Sequence, residues 1–385
     1  MLALTARSLY TPLEQIDRPL VVVEDGVVVT VGSRSDREIP AHAKLLDFAD
    51  GILTPGLVDI HIHGAAGFDV MQADAEGRRR LQKFLASCGV TSYFPTTVTA
   101  PIATTLRALE QLADGIEGAT KDSEGAQPLG IHLEGPFLSH ACRGVHPPEN
   151  LLAPTLDHFD RFWQAARGHI RVMTIAPELE GAAELIAEAT QRGVCISIGH
   201  SAADLNAARA GVAAGARHAT HTFNAMRPLD HREPGIVGEV LSNPALTADI
   251  IADGIHVHPA VVRLFLQAKG PERAVLITDA TAAAGMPDGK YWLGSLEVEV
   301  KDGKCLHQGK LAGSVLTLDR ALRNAMKFAT WDLPRALRAA TLNPATVANA
   351  AKKGRIEPGA DADLVVLTSD GQVRATITKG VVASS

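Results

Sequence analysis

The 385-residue sequence has few cysteines, few aromatic residues and no long apolar run. Its four cysteines are widely spaced and include no Cys-x-x-Cys pair, which argues against a zinc knuckle, a disulfide framework or a redox centre. Without a window of about 18 uninterrupted apolar residues, no transmembrane helix is predicted. The net charge is only -6 and no dense Lys/Arg run occurs, so nucleic acid and acidic membranes are not expected partners. We expect a small-molecule partner.

The composition, 46% hydrophobic and 21% charged, is typical of a fully folded globular protein. A chain of 385 residues exceeds what one ordinary core organises, which favours a large barrel, a second small domain, or both. The first residues, Met1 to Tyr10, lack a basic stretch followed by an apolar core. We therefore expect a cytoplasmic protein.

Short apolar runs alternate with helical patterns along the middle of the chain. We predict eight strands: 56–63, 91–97, 129–134, 170–176, 194–200, 217–221, 248–253 and 274–279. Helical patterns include 74–87, 101–116, 181–191, 203–213 and 259–268. Strand-helix alternation repeated eight times is typical of an α/β protein with a (β/α)8 TIM barrel.

The two ends of the chain have β patterns instead. Residues 20–30 predict a hairpin with its turn at Asp25-Gly26, and the tail contains two strand-like runs separated by Asp370-Gly371. We expect these ends to meet in a small β-sandwich domain formed by residues 1–54 and 350–385, beside a barrel domain of residues 55–349. A further β-like stretch, 293–309, predicts a hairpin inserted after strand eight.

Polar residues stand at the ends of several predicted barrel strands. Such strands are buried on both faces and should be apolar throughout, so a polar last residue needs an explanation. In this fold the explanation is usually an active site, which lies at the carboxyl ends of the strands. The residues are His61 and His63 on strand one, Glu134 on strand three, His200 on strand five, His221 on strand six and Asp279 on strand eight.

Four of these strand ends predict a metal site. His61 and His63 are two residues apart in an extended strand, so both face the barrel interior. A lone His-x-His is a weak signal, but four histidines and Glu134 on four strand ends are a strong one. Imidazole and carboxylate without thiolate suit one or two divalent metals, zinc foremost, with iron, manganese and cobalt as alternatives. We interpret His132 as lining the barrel interior.

Asp279 follows four residues of a hydrophobic strand, where an unpaired carboxylate is costly to bury. A metal lowers the pKa of a bound water to about 7, and a carboxylate beside it takes that proton and returns it to a leaving amine. The pattern therefore predicts a metal-dependent hydrolase with Asp279 as its proton-transfer residue. A helix N-cap is the alternative interpretation. Cys142, between His140 and His146, is interpreted as a bystander.

Short sequence motifs, spread over nearly the whole chain, resemble those of a known family. They are TPGLVDIHIHG (54–64), HLEGPF (132–137), GHS (199–201), HTFNAM (221–226), REPG (232–235), DGIHV (253–257), TDA (278–280) and LAGS (311–314). With them the sequence resembles the amidohydrolase superfamily and, within it, the N-acetylglucosamine-6-phosphate deacetylase family. Many superfamily members carry a carboxylated lysine at the end of strand four, whereas this strand ends in Ala176-Pro177-Glu178. Glu134 takes that place, which argues against dihydroorotase-like or urease-like enzymes.

The resemblance implies hydrolysis of the acetamide of N-acetylglucosamine 6-phosphate to glucosamine 6-phosphate and acetate, in amino-sugar catabolism. It also implies roles for individual residues. His146 would polarise the acetyl carbonyl, and the substrate would be bound by Val145, Asn224, Ala225, Arg232, Asp253, His256, Leu311, Ala312 and Gly313. Among these, Arg232 and His256 would contact the phosphate. The family is typically dimeric, which implies a homodimer whose phosphate contacts are shared across the interface. First-strand histidines vary within the family, and both are present here, which allows a two-metal site.

Two alternatives remain at this point. The substrate is another N-acyl amino sugar, such as N-acetylgalactosamine 6-phosphate or an unphosphorylated sugar, or the protein is a catalytically silent regulator that binds a sugar phosphate. The intact ligand set and Asp279 argue against a silent regulator, since binding alone has no need of that carboxylate.

Overall fold

The computed structural model describes residues 1–119 and 125–383. Each of the eight predicted barrel strands is present, and the observed bounds are Leu57–Ile62, Val90–Pro95, Ile131–Glu134, Ile170–Ile175, Cys195–Ile198, His218–Ala219, Ala248–Ile251 and Ala274–Ile277. Strands five, six and eight end two residues before their predicted polar ends. The reason is that His200, His221 and Asp279 have φ values of 48°, 29° and 49°, a conformation that ends an extended strand.

The eight strands close into a ring. Parallel ladders join strand one to two, strands three to six in order, and strand seven to eight. Isolated parallel bridges join Thr96 to His132 and Ile62 to Ala280, which connect strands two to three and eight to one. The backbone N–H of Thr222 donates to Asp249 O at 3.0 Å and connects strand six to seven. These pairings form the predicted barrel.

Helices surround the ring and bury their apolar faces against it. They are Ala75–Ser87, Ile102–Glu117, Leu156–Ala165, Ala182–Gln191, Leu205–Ala214, Gly235–Ser242, Pro259–Arg273, Leu318–Ala329, Leu333–Ala340 and Leu342–Val347, with 3-10 turns at His140–Cys142 and Pro148–Asn150. The carboxylate of Asp74 caps the first helix by accepting from Gly77 N–H. Leu81, Leu185 and Phe265 lie in one core cluster with the barrel strands. Within the described residues, no helix is long and apolar enough to cross a membrane.

Strands from both ends of the chain form one eight-stranded sheet. They are Leu2–Tyr10, Gln15–Asp17, Pro19–Glu24, Val27–Ser33, Lys44–Pro55, Leu364–Leu367, Val373–Thr378 and Val381–Val382. The predicted turn at Asp25-Gly26 joins two of them, with φ values of 50° and 79°. Val21, Leu53 and Ile377, from different parts of the sheet, share one core cluster. Residues 384 and 385 of the predicted terminal domain, and 120–124 of the predicted barrel domain, lie outside the described residues.

Asp363, which forms a buried ion pair with Lys353, connects this sheet to the amino-terminal end of the barrel through its backbone carbonyl. Lys353 is 5% exposed, and its Nζ lies 2.5 Å from Asp363 Oδ2 and 2.9 Å from Asp361 Oδ2. Asp363 O also accepts from the N–H of Gly56, just before strand one, at 2.9 Å. The terminal sheet therefore lies at the end of the barrel away from the polar strand ends.

The segment after strand eight is larger than the predicted hairpin. It is a four-stranded antiparallel meander with strands Gly289–Leu293, Leu296–Lys301, Lys304–His307 and Lys310–Leu311. The sequence pattern covered only the central pair, because Gly294 and Gly309 separate the outer strands from it. The meander has its own small core of Leu293, Val298 and Cys305 packed with Ala283.

Candidate active site

Six side chains from five barrel strands meet at the carboxyl end of the ring. They form two groups, each with its possible ligand atoms within 4.8 Å of one another, and the groups are His61, His63 and Asp279, and Glu134, His200 and His221. All six are buried, with Asp279 the most accessible at 8% exposed. The parallel strands bring their last residues to one edge, which explains why side chains up to 218 positions apart in sequence become neighbours.

Glu134 also contacts the histidines of the other group. Its Oε1 is 3.1 Å from His221 Nε2 and 3.2 Å from His200 Nε2. Its Oε2 is 3.2 Å from His63 Nε2, and Oε1 is 3.4 Å from His61 Nε2. One carboxylate therefore contacts all four imidazoles.

The imidazoles are oriented as they would be around a metal ion. His63 Nδ1 lies 3.1 Å from Thr96 O, and His200 Nδ1 lies 3.0 Å from Cys142 O. A carbonyl oxygen accepts but does not donate, so Nδ1 carries the hydrogen in both rings and Nε2 is the nitrogen available to a metal. The Nε2 atoms of His200 and His221 are 3.0 Å apart, a separation that requires a proton or a cation between them. The residues fit a divalent metal.

The electrostatics of the site favour positive charge at its centre. Burial by itself lowers the pKa of His63, but hydrogen bonds to Asp279 and Glu134 outweigh it and raise the pKa to about 10. Burial likewise opposes protonation of His221, yet the hydrogen bond to Glu134 raises its pKa to about 9. Burial raises the pKa of Asp279, but the charges of His61 and His63 bring it down to about 2. A divalent cation supplies the same positive charge between the carboxylates.

Asp279 is held by its backbone, which leaves its carboxylate at the edge of the cavity. Its N–H donates to His61 O at 2.9 Å, and its carbonyl accepts from Ser314 N–H at 2.7 Å. The carboxylate Oδ1 lies 3.2 Å from His63 Nε2. The geometry does not match the N-cap alternative, since no helix begins after Asp279 in this part of the chain.

His146 reaches the same cavity from the loop after strand three. Its Nδ1 accepts from the backbone N–H of Thr99 at 3.2 Å and lies 2.7 Å from Thr99 Oγ1. The ring hydrogen therefore lies on Nε2, which is 3.7 Å from Glu134 Oε2. Burial and the neighbouring His200 lower the pKa of His146 to about 3, which keeps the ring neutral. A neutral ring with an N–H aimed into the cavity is a hydrogen-bond donor.

A cavity of about 180 Å³ lies over these side chains. Seven of the residues predicted to bind substrate line it, namely Val145, Asn224, Ala225, His256, Leu311, Ala312 and Gly313. A second cavity of about 670 Å³ adjoins it and shares the wall of Gly144, Val145 and His146.

Four other predicted residues lie away from this cavity or have a different partner. Arg232 is exposed and does not line the cavity within its own chain. Asp253 contacts His256 instead, with its Oδ2 2.7 Å from His256 Nδ1. Both ring nitrogens of His132 are occupied, by Ile60 O at 2.9 Å and Thr174 Oγ1 at 2.8 Å, so His132 lines the barrel interior. Cys142 offers its carbonyl to His200, while burial raises the pKa of its thiol.

Sequence reasoning missed several contributors to the site. Thr99 orients His146, Leu293 of the meander lines the cavity, and Asp249 contacts the backbone of His221. Asp249 is a polar residue inside a predicted apolar strand, so it could have been singled out by the same reasoning as the polar strand ends. No local sequence pattern marks Thr99 or Leu293 as part of the site.

Comparison with known proteins gives the family of the chain. The model of the amidohydrolase family matches residues 52–383. The chain is 36% identical to an N-acetylglucosamine-6-phosphate deacetylase of Bacillus subtilis (98% of this chain, 95% of the relative) and 37% identical to an N-acetylgalactosamine-6-phosphate deacetylase of Escherichia coli O157:H7 (99% of each). It is also similar to the structure of a mutant N-acetyl-D-glucosamine-6-phosphate deacetylase from Mycobacterium smegmatis in complex with N-acetyl-D-glucosamine-6-phosphate. That match has a TM-score of 0.93 and 35% identity over 100% of this chain and 99% of the other. The chain therefore belongs to the amidohydrolase family.

Proposed function

We propose that this protein is a metal-dependent N-acetylglucosamine-6-phosphate deacetylase, which hydrolyses the acetamide to glucosamine 6-phosphate and acetate. The observation that carries the proposal is the position of Asp279, with its carboxylate 3.2 Å from His63 Nε2 and at the edge of the cavity. The near full-length similarity to relatives with this name supports the choice of substrate.

Glu134, His200 and His221 would hold one divalent metal, and His61 and His63 together with Asp279 would hold a second. We propose zinc, because imidazole and carboxylate ligands suit it, with iron, manganese or cobalt as substitutes. When bound, the metal supplies Lewis acidity that activates water and polarises the acetamide.

The residues of the chain divide the proton transfers and the charge stabilisation between them. Asp279 accepts the proton of the attacking water and then delivers it to the amine nitrogen as the C–N bond breaks. His146 donates its Nε2 hydrogen to the carbonyl oxygen, where negative charge develops. Its Nδ1, held by Thr99 N–H at 3.2 Å, keeps the ring in the tautomer that this role requires.

The substrate phosphate would be bound by Arg232 and His256. The carboxylate of Asp253 orients His256, at 2.7 Å from its Nδ1. Since Arg232 is exposed and does not line the cavity of its own chain, we propose a homodimer in which it reaches the partner's site. Asn224, Ala225, Val145 and the 311–313 segment would contact the sugar.

We propose that residues 1–54 and 350–385 form a small β-sandwich domain and that residues 55–349 form the hydrolase domain. The shared core of Val21, Leu53 and Ile377 supports this division.

A deacetylation assay coupled to metal analysis of the purified protein tests the function. We expect about one or two equivalents of divalent metal per chain and release of acetate from N-acetylglucosamine 6-phosphate, lost on chelation and restored by zinc. Metal-loaded protein that releases no acetate would instead indicate a silent sugar-phosphate-binding regulator.

N-acetylgalactosamine 6-phosphate is the second candidate substrate, because a relative with that name is 37% identical over 99% of the chain. Turnover of the two phosphorylated sugars and of free N-acetylglucosamine separates the candidates. Arg232→Ala should raise KM for phosphorylated sugars only. An equal loss on the free sugar would contradict Arg232 as the phosphate anchor.

A further inference from the structure

A buried pair of an aspartate and a histidine, Asp249 and His218, lies next to the candidate metal ligand His221 on the side away from the cavity. Asp249, on barrel strand seven, and His218, on strand six, are both 0% exposed. His218 Nε2 lies 3.0 Å from Asp249 Oδ2, and His218 Nδ1 lies 2.8 Å from Thr247 Oγ1. Neither residue lines the cavity above the site.

Asp249 connects this pair to the backbone of His221. Its Oδ1 accepts from the His221 N–H, and its backbone carbonyl accepts from Thr222 N–H at 3.0 Å. One residue of strand seven thus holds two consecutive N–H groups where strand six ends.

We propose that Asp249 is a positioning residue for His221 and that His218 holds the Asp249 carboxylate in the orientation this requires. The inference rests on the proposed metal centre, since it assigns Asp249 an effect on metal affinity.

The backbone conformation of His221 explains why such an anchor is needed. Its φ is 29°, in a region that residues other than glycine rarely adopt and that persists only where surrounding contacts hold it. A carboxylate that accepts from a backbone N–H forms a strong, charge-assisted hydrogen bond. The bond places the imidazole with its Nε2 3.1 Å from Glu134 Oε1 and 3.0 Å from His200 Nε2.

His218 is required because the carboxylate is fully buried. A buried charge without a partner is strongly destabilising, so the Asp249 carboxylate would turn away from His221 if His218 did not pair with Oδ2. The contact from Thr247 fixes the ring at its other nitrogen. Loss of a hydrogen-bond partner behind a metal ligand typically weakens metal binding about 10- to 100-fold.

Zinc affinity of the full-length protein, measured by competition with a chelator, tests the proposal. The variants are Asp249→Asn, His218→Leu and His218→Gln, with the thermal midpoint of each metal-free protein recorded alongside. We expect zinc affinity to fall about 10-fold or more in Asp249→Asn and His218→Leu. His218→Gln keeps a donor for Oδ2, so most of the affinity should return.

Asp363→Asn is the matched control. Asp363 is a carboxylate that is 3% exposed and ion-paired with Lys353 at the opposite end of the barrel. This variant should lower the thermal midpoint and leave zinc affinity unchanged. The absorption spectrum of the cobalt-substituted protein gives an independent view of ligand geometry, and it should change in Asp249→Asn but not in Asp363→Asn.

The measurements on wild-type protein test the proposed function, and those on the variants test the inference about Asp249. If wild-type protein binds no metal, the proposed function is wrong. If wild-type protein binds zinc and Asp249→Asn loses only stability, as the control does, Asp249 is structural and the inference is wrong. Should Asp249→Asn fail to fold, wild-type affinity in both His218→Leu and His218→Gln would overturn it equally.

Discussion

Asp279 and His146 are both buried at the same cavity, and neighbouring histidines lower the pKa of each. The positive charges of His61 and His63 outweigh burial and lower the pKa of Asp279 to about 2, whereas burial and His200 lower that of His146 to about 3. At neutral pH one group is an anion able to accept a proton and the other is a neutral donor. Two residues at one cavity are thereby suited to different parts of an amide hydrolysis.

Asp279→Asn tests the proton-transfer role at this scale. The substitution keeps the shape of the side chain and removes its ability to accept a proton, so kcat should fall by about 100-fold or more while KM changes little. Steady-state kinetics on N-acetylglucosamine 6-phosphate measure the change, and metal content is determined on the same sample. Near-normal turnover with normal metal content would contradict the assigned role.

At the scale of elements, the meander after strand eight and the segment that follows it complete the site. Ser314 pairs with the backbone around Asp279: its N–H donates to Asp279 O at 2.7 Å, and its Oγ donates to Thr278 O at 2.6 Å. Gly313 has a φ of 58°, and a Cβ there would lie 2.5 Å from Thr281 Cγ2 and 3.0 Å from Asp279 O. The close approach therefore requires glycine.

Gly313→Ala should displace Asp279 and lower kcat/KM by about 10-fold or more, with a loss of stability of about 1–3 kcal/mol. Gly309→Ala is a matched control, because Gly309 also has a positive φ, 79°, but nothing lies within 4 Å of its Cβ position. The control should share the backbone strain, about 1–2 kcal/mol, and keep its activity. Kinetics and thermal unfolding of both variants measure this, and equal activity losses would show that the contact with Asp279 is unimportant.

For the whole molecule, the two ends of the barrel are closed in different ways. At the amino-terminal end the terminal sheet is attached through Asp363, whose backbone carbonyl accepts from Gly56 N–H at 2.9 Å. At the carboxyl end, the candidate metal ligands come from strands one, three, five, six and eight, so bound metal would link strands distant in sequence. Metal binding should therefore stabilise the barrel as a unit.

Removal of the metal should lower the thermal midpoint of the protein. A ligand at about 1,000 times its Kd contributes about 4 kcal/mol, which corresponds to a shift of about 5 °C or more for a chain of this size. Differential scanning calorimetry with and without a chelator measures the shift. His200→Ala removes one ligand and should respond much less to the chelator, whereas an equal response in both proteins would point to metal bound elsewhere.

The sequence by itself determined the eight barrel strands and the polar residues at their ends, because alternation of strands and helices is a local pattern and the barrel fold places strand ends together. The resemblance to the deacetylase family likewise predicted the cavity-lining segments around Val145, Asn224 and Leu311. Only the tertiary structure decided which backbone and side-chain groups orient the histidines. Thr99 and His146 are 47 residues apart, and Asp249 and His221 are 28 apart. Such pairs follow from barrel closure and loop packing, and neither leaves a periodic signal in the sequence.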